Sequence, residues 1–237
     1  RVVRAVQSVT DLPLQLDPAD PSALEGARRI YCGKPLINSV NGEKEKMDAL
    51  FPLVKKYGGA LIALAMDETG IPNTAAERVA IIEKIISEAG KYGIEKKDII
   101  ADPLCLTVSS DQKSALVTLE AVRMLRERGI KTSLGVSNIS FGLPEREKIN
   151  ACFYGCALEN GLDCAIMNPR SKAMTDVYYA CKALHGMDSA CADYISYAQR
   201  DASVQNDTPA PAQKTLSSAI VKGLKDDAAA LADELLK

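Results

Sequence analysis

Four side chains with hydrogen-bonding chemistry each follow a short apolar run of the kind that forms a buried strand: Asp17, Asn38, Asp102 and Asn138. A carboxylate accepts hydrogen bonds and a carboxamide both donates and accepts them, so the set suits a neutral heterocycle with several N–H donors. A phosphate would require backbone amides or cations, and no basic residue occupies these positions. A single Asp before Pro usually forms a turn, but four such strand ends together indicate a binding site.

The elements that must position these side chains alternate along the chain as short apolar runs and amphipathic segments. The predicted strands are Leu12–Asp17, Pro35–Asn38, Ala60–Met66, Asp98–Asp102, Lys131–Ser137 and Leu162–Met167. Strand, turn and helix at these intervals predict parallel strands with right-handed crossovers. The carboxyl ends of parallel strands share one face, where the four side chains are expected to meet.

The predicted helices between the strands carry apolar residues at helical spacing. Glu43 to Tyr57 forms one, and Thr74 to Glu77 reads as a capping box that starts the next. That second helix is expected to bury Val79, Ile82, Ile85, Ile86 and Ala89. A helix from Gln112 to Arg128 is expected to bury Leu116, Leu119, Val122 and Leu125.

Composition limits the classes of function. The chain has 237 residues, 47% apolar residues and a formal charge of -2, which gives no excess of basic charge to attract nucleic acid. No apolar run reaches the length of a membrane span, and the first residues lack the pattern of a signal peptide, so a cytoplasmic location is expected. Seven cysteines without a C-x-x-C pair, and a single histidine, predict reduced, mostly buried thiols and no metal site.

The end of the chain differs in composition from the rest. Residues 1–200 are predicted to form the main domain, and 201–215 are small, polar and Pro-containing, as in a linker. Residues 216–237 form an amphipathic pattern whose apolar stripe needs a partner. They are either the last helix of the main domain or the start of a further module.

Four stretches carry a resemblance to a known family: Leu36-Ile37-Asn38-Ser39-Val40-Asn41-Gly42-Glu43, Met66 to Pro72, Asp102-Pro103-Leu104, and Gly135-Val136-Ser137-Asn138-Ile139-Ser140-Phe141-Gly142-Leu143-Pro144. The sequence resembles the pterin-binding methyltransferases that work with corrinoid proteins, including the folate-binding domain of cobalamin-dependent methionine synthase. The resemblance implies an α/β fold, an eight-stranded TIM-type (β/α) barrel, and it begins at what looks like the third strand. We therefore favour a barrel that lacks its first two strands in this chain over an open sheet.

The resemblance also implies roles for individual residues. Asp17, Asn38 and Asp102 correspond to ligands of the pterin edge, and Asn138 to the catalytic residue that faces N5. Gly135, Ser137, Met66 and Arg146 are further candidates, and Arg146 is either a contact for the folate tail or partner, or a solvated loop charge. The implied reaction moves a methyl group between N5 of methyltetrahydrofolate and the cobalt of cobalamin or another corrinoid on a partner protein or domain.

Several alternatives stay open on the sequence. The direction of methyl transfer is not fixed, and a homodimer is compatible with the residues. The tail resembles the first helix of a corrinoid-binding helical module. The nearest rival is a dihydropteroate synthase-like enzyme, which would be expected to carry a cation where this chain has Val136-Ser137-Asn138. A non-catalytic relative that binds folate or a corrinoid protein is the second rival.

Overall fold

The computed structural model describes residues 1–17 and 20–206, and its central feature is a parallel sheet of six strands in the order β1-β2-β3-β4-β5-β6. The strands are β1 Gln15–Leu16, β2 Leu36–Val40, β3 Ala60–Leu64, β4 Ile99–Asp102, β5 Lys131–Leu134 and β6 Cys164–Ala165. Every pair of neighbours is parallel and consecutive in sequence. The predicted βα repeat is confirmed, and these residues form six strands of a TIM-type barrel.

Helices alternate with the strands as the apolar spacing predicts, and in the described ranges one helix precedes the first strand and two follow the last. They are α1 Val2–Gln7, α2 Pro21–Arg28, α3 Lys44–Tyr57, α4 Ala75–Lys91, α5 Ser114–Glu127, α6 Arg146–Glu159, α7 Lys172–Leu184 and α8 Ala192–Asn206. Thr74 caps α4 as predicted, because its hydroxyl accepts a hydrogen bond from the Glu77 amide and donates one to the Glu77 carboxylate.

The core lies between the strands and the inner faces of these helices. The α4 residues Val79, Ile82, Ile85 and Ala89 are buried as predicted, and Ile86 packs at the edge of the same cluster. The prediction for α5 was wrong at Leu116, which is 69% exposed. The buried row of α5 instead consists of Ser114, Thr118, Ala121, Val122 and Leu125.

The chain divides into two compact units, Arg1–Cys181 and a second one that starts at Lys182 in the last turn of α7. In the second unit, the Asp188 carboxylate accepts hydrogen bonds from the backbone N–H groups of Asp193 and Tyr194 at the start of α8. These bonds lower the pKa of Asp188, because they stabilise its ionised form. Helix α8 continues to Asn206, so the first residues of the predicted linker are helical.

The rest of the predicted linker and the helix at 216–237 lie outside the described residues, and the predicted domain bounds stay a prediction. None of the helices in the described ranges is both long enough and apolar enough to cross a membrane.

Candidate functional site

A cavity of about 530 Å³ lies at the carboxyl ends of the strands and brings the four predicted side chains together. Asp17, Asn38, Asp102 and Asn138 all line it. Asp17 follows β1 and Asn38 lies in β2, while Asp102 ends β4 and Asn138 follows β5. The parallel strands therefore place two carboxylates and two carboxamides, from four different strands, around one space.

Asp17 and Asn38 are neighbours because of the register between β1 and β2. Leu16 pairs with Ile37, so the next residues of the two strands also lie side by side. The Asn38 Nδ2 atom donates a hydrogen bond of 3.3 Å to Asp17 Oδ2. This bond orients the Asn38 amide and leaves its Oδ1 atom available as an acceptor.

Asp102 is the most enclosed of the four, with only 8% of its surface exposed. Its Oδ1 atom accepts a 2.8 Å hydrogen bond from the Leu104 backbone N–H. Burial raises the pKa of Asp102 to about 6, although the Leu104 hydrogen bond and the nearby Arg78 charge act in the opposite direction. The carboxyl group is therefore mostly ionised at pH 7 and becomes protonated in mild acid.

Asn138 lies in a short 3-10 helix, Val136–Ser140, rather than at the end of a strand. The strand that was predicted to reach Ser137 ends at Leu134, and Gly135 begins the turn. The backbone N–H of Asn138 donates to the Gly135 carbonyl at 3.1 Å. The side-chain amide of Asn138 is exposed and has no hydrogen-bond partner in the described part of the chain, so it is free to meet a ligand.

Two of the four further candidates line the cavity and two do not. Gly135 and Ser137 belong to its wall. Met66 has a backbone role, because its carbonyl accepts a 2.7 Å hydrogen bond from the Gly42 N–H. Arg146 holds the turn of Asn138 from behind, since it donates to the Ser137 carbonyl at 2.8 Å and to the Ser140 hydroxyl at 3.0 Å. Its guanidinium also lies 5.8 Å from the centre of the exposed Phe141 ring.

The sequence did not predict a role in the site for the remaining residues of the wall, which are Ser39, Leu64, Leu104, Cys105, Ile166, Met167 and Asn168. Asn168 had a recognisable signal, since it follows the predicted strand Leu162–Met167 and precedes Pro169. Cys105 is buried, and burial together with the Asp102 charge raises the pKa of its thiol to about 12. It is an exception, because five of the seven thiols are exposed and the prediction of mostly buried cysteines was wrong.

The charge of the wall is negative. Asp17 and Asp102 supply carboxylates, and the lining residues in the described ranges include no Lys, Arg or His. Among those ranges, no group of three or more His, Cys, Asp or Glu side chains is placed to hold a metal ion. The cavity can therefore accept hydrogen bonds from a flat N–H-rich ring and donate a few through its carboxamides.

Comparison with known proteins places this geometry in a family. Residues 1–168 match the family model described as pterin binding enzyme. A methylcorrinoid:tetrahydrofolate methyltransferase of Eubacterium limosum is 36% identical over 194 residues, which are 80% of this chain and 71% of that protein. The methionine synthase of Mycobacterium tuberculosis is 34% identical over 171 residues, which are 66% of this chain but 14% of that enzyme.

Solved structures support the fold. Dihydropteroate synthase of Thermus thermophilus superposes with a TM-score of 0.63 over 77% of this chain and 74% of that chain, at 20% identity. The enzyme of Vibrio fischeri gives a TM-score of 0.62 over 78% of this chain and 72% of that chain, at 16% identity. At these identities the likeness carries the barrel fold alone, whereas the family model and the relatives above 30% identity agree with the resemblance found in the sequence. The chain belongs to the family of pterin-binding enzymes.

Proposed function

We propose that this chain transfers a methyl group between N5 of methyltetrahydrofolate and the cobalt of a corrinoid carried by another protein or domain. The observation that carries the proposal is the shared cavity of Asp17, Asn38, Asp102 and Asn138, with no cation in its described wall. The names of the relatives from Eubacterium limosum and Mycobacterium tuberculosis support the same kind of chemistry.

Asp17, Asn38 and Asp102 hold the pterin edge in this proposal. The pterin carries an amino group and ring N–H groups in a row, and ionised carboxylates are the strongest acceptors for such donors. Asp102 is enclosed, so its bond to the ring is shielded from water and contributes more than a surface contact would. Asn38, whose amide is already bonded to Asp17, contributes its Oδ1 atom.

Asn138 acts at N5, the atom that carries the methyl group. A tertiary amine is a poor leaving group, and a hydrogen bond to N5 that strengthens as the C–N bond breaks lowers the barrier. The carboxamide of Asn138 is a donor without a partner in the described structure. Asn138 lies on a short turn, and Arg146 donates a hydrogen bond to the Ser137 carbonyl of that turn. The position of Asn138 is therefore defined before the substrate arrives.

The cobalt enters as a substrate from the partner, where Co(I) is the nucleophile toward the methyl group. The same groups serve the reverse direction, from a methylcorrinoid to tetrahydrofolate, because the transition state is shared. The name of the Eubacterium limosum relative favours that reverse direction. We place the reaction in the cytoplasm, and a homodimer stays a prediction.

The dihydropteroate synthase-like alternative has a specific weakness. That reaction expels pyrophosphate, whose charge requires cations or helix amides near the reacting carbon. The described wall of the cavity offers none of the basic side chains. The likeness to dihydropteroate synthases in the solved structures lies below 25% identity and does not bear on the reaction.

The test measures methyl exchange between isotopically labelled methyltetrahydrofolate and cob(I)alamin, and separately tetrahydrofolate affinity by calorimetry. Asn138→Ala is expected to raise the barrier to methyl transfer by a few kcal/mol, which lowers the rate roughly 100-fold, with little change in tetrahydrofolate affinity. Asp102→Asn presents a donor to the N–H groups of the ring and is expected to weaken binding by roughly 1–3 kcal/mol.

Asn160→Ala is the matched control, because Asn160 follows α6 and its amide bonds the Cys156 carbonyl, away from the cavity. Equal losses of rate and affinity in Asn138→Ala would identify a simple binding residue. Folate binding without any methyl exchange, in either direction, would support the non-catalytic alternative instead.

A further inference from the structure

Arg78 is a buried cation whose burial the sequence did not predict. It lies in the first turns of α4 among apolar side chains, and only 2% of its surface is exposed. None of the carboxylates in the described ranges forms a salt bridge with it. A buried charge without such a partner is costly, so its retention requires strong compensating hydrogen bonds.

The guanidinium obtains these bonds from two loops at the carboxyl ends of neighbouring strands. Its Nε atom donates to the Pro72 carbonyl at 2.9 Å, in the loop after β3. Its Nη1 atom donates at 3.1 Å to the Pro103 carbonyl and at 2.8 Å to the Leu104 carbonyl, in the loop after β4. Arg78 therefore joins α4 to the turn that follows Asp102.

The turn at Leu104 needs to be held. Leu104 has a φ of 65°, a left-handed conformation that is unfavourable for a residue other than glycine. The Thr118 hydroxyl of α5 donates a second bond, of 3.0 Å, to the Leu104 carbonyl. The Pro103 carbonyl, to which Arg78 also donates, belongs to the same peptide unit as the Leu104 N–H, so Arg78 helps to orient the N–H that donates to Asp102 Oδ1. The other carboxylate oxygen of Asp102 accepts no hydrogen bond from the described residues, and Asp102 lines the cavity.

The charges around Asp102 come from several elements. Arg78 of α4 lowers the pKa of Asp102, while burial raises it. Cys105 of the same loop is a neutral thiol, because its pKa is raised to about 12. The charge of Asp111, before α5, acts to raise the pKa of Arg78, and the Asp17 carboxylate lies on the wall of the same cavity as Asp102. Arg78 is the cation that faces Asp102 among the described residues.

We propose that Arg78 is a positioning residue for ligand binding, which fixes the Pro103–Leu104 turn and thereby directs the Asp102 carboxylate into the cavity as an ionised acceptor. The proposal deepens the proposed function, because it rests on Asp102 as a ligand of the pterin edge. Arg78 itself does not line the cavity.

The experiment uses the full chain and two readouts. Tetrahydrofolate affinity is measured by calorimetry at neutral pH, and the ionisation of Asp102 in the ligand-free chain is followed by carboxyl 13C NMR, with Asp102→Asn as the assignment control. Arg78→Met removes both the charge and the hydrogen bonds. Arg78→Lys keeps the charge. Thr118→Val removes one bond to the Leu104 carbonyl, and also the hydroxyl that accepts a 3.3 Å bond from Arg78 Nη1, without a change of charge.

Arg78→Met is expected to weaken tetrahydrofolate binding about tenfold and to move the titration midpoint of Asp102 to higher pH. Arg78→Lys should weaken binding while its midpoint stays below that of Arg78→Met. Thr118→Val keeps the Arg78 charge but removes one acceptor of its Nη1 atom, so it should weaken binding severalfold with a midpoint that stays below that of Arg78→Met. Arg123→Met is the matched control, since Arg123 is an exposed residue of α5 that pairs with Glu127, and it should change neither readout.

The outcomes separate this proposal from the proposed function. If the unaltered chain binds no tetrahydrofolate, the proposed function fails, and the Asp102 titration still decides whether Arg78 controls that carboxylate. If the chain binds tetrahydrofolate but folded Arg78→Met shows the original affinity and midpoint, the positioning role is wrong. Should Arg78→Met fail to fold, unchanged affinity in both Arg78→Lys and Thr118→Val overturns the proposal.

Discussion

A Cβ atom on Gly135 would stand 3.0 Å from the Nδ2 atom of Asn138, so the bare glycine backbone provides the space in which this carboxamide rests. Gly135 has a φ of -75°, which an alanine tolerates without strain, so the effect of a substitution is steric. Gly135→Ala is expected to displace the Asn138 amide and lower methyl transfer about tenfold or more, with a small effect on pterin affinity.

Gly90→Ala provides the control for this substitution, because Gly90 lies in α4 and a Cβ there meets nothing within 4 Å. It should leave transfer unchanged. The double variant of Gly135→Ala and Asn138→Ala should be no slower than Asn138→Ala alone. The Cβ atom added by Gly135→Ala acts by displacing the Asn138 amide, and Asn138→Ala has already removed that amide. Additive losses would show that Gly135 acts through another contact.

Asp102 is expected to lower the stability of the chain at neutral pH. Its pKa of about 6 lies above the ordinary value of 3.8, so the folded chain binds this proton more tightly than the unfolded chain does. The contribution of Asp102 to the free energy of unfolding is therefore fully present below about pH 3.8, and it is lost as the pH rises through about 6. The shift corresponds to roughly 3 kcal/mol at pH 7.

Asp102→Asn removes this cost, because the amide is neutral and its Oδ1 atom can still accept the Leu104 bond. Urea unfolding should show a variant that gains stability over the unaltered chain between about pH 4 and about pH 7. A stability difference that does not depend on pH would contradict the buried, titrating carboxyl group. Asp102→Asn should also bind tetrahydrofolate more weakly, because the carboxylate that lowers stability is the one that binds the ligand.

Arg146 is expected to support the turn of Asn138 rather than to contact the folate tail. Its guanidinium bonds the Ser137 carbonyl and the Ser140 hydroxyl. Arg146→Met should lower the rate of methyl transfer about tenfold, and the loss should be the same for folates with short and with long glutamate tails. A loss confined to KM for the long-tailed substrate would indicate a direct tail contact. Phe141→Leu, which leaves both hydrogen bonds intact, is the control.

The bond between Asn38 and Asp17 predicts a charge-swap result. Asn38→Asp places a second carboxylate opposite Asp17, where the amide now donates at 3.3 Å. Like charges in such a cross-strand pair destabilise by roughly 0.2–1 kcal/mol, and the chain should become less stable at neutral pH. Adding Asp17→Asn restores one donor and one acceptor and should recover the loss. A double variant as unstable as Asn38→Asp would show that the pair is not coupled.

The sequence allowed the prediction of the strand ends, because apolar runs that alternate with amphipathic helices admit few topologies. It did not allow the prediction of the 3-10 turn at Asn138, which depends on hydrogen bonds from Arg146, several residues further along. Leu116 was misplaced because a helix with many apolar residues offers adjacent rows at similar spacing, and packing against the sheet selects one. Arg78 escaped notice because a charged side chain is expected at the surface, although it shares a helix face with Ile82 and Ile85.

The two outermost strands of the described sheet, β1 and β6, both contribute to the cavity, through Asp17 at one end of the sequence and Ile166 to Asn168 near the other. During synthesis the ribosome releases Asp17 long before Asn168. The pocket thus cannot exist in any nascent chain that stops short of β6, however well its earlier βα units have folded. Ligand present in the cell can therefore stabilise the complete pocket only after β6 has been made, so binding follows the folding of the earlier βα units and does not nucleate it.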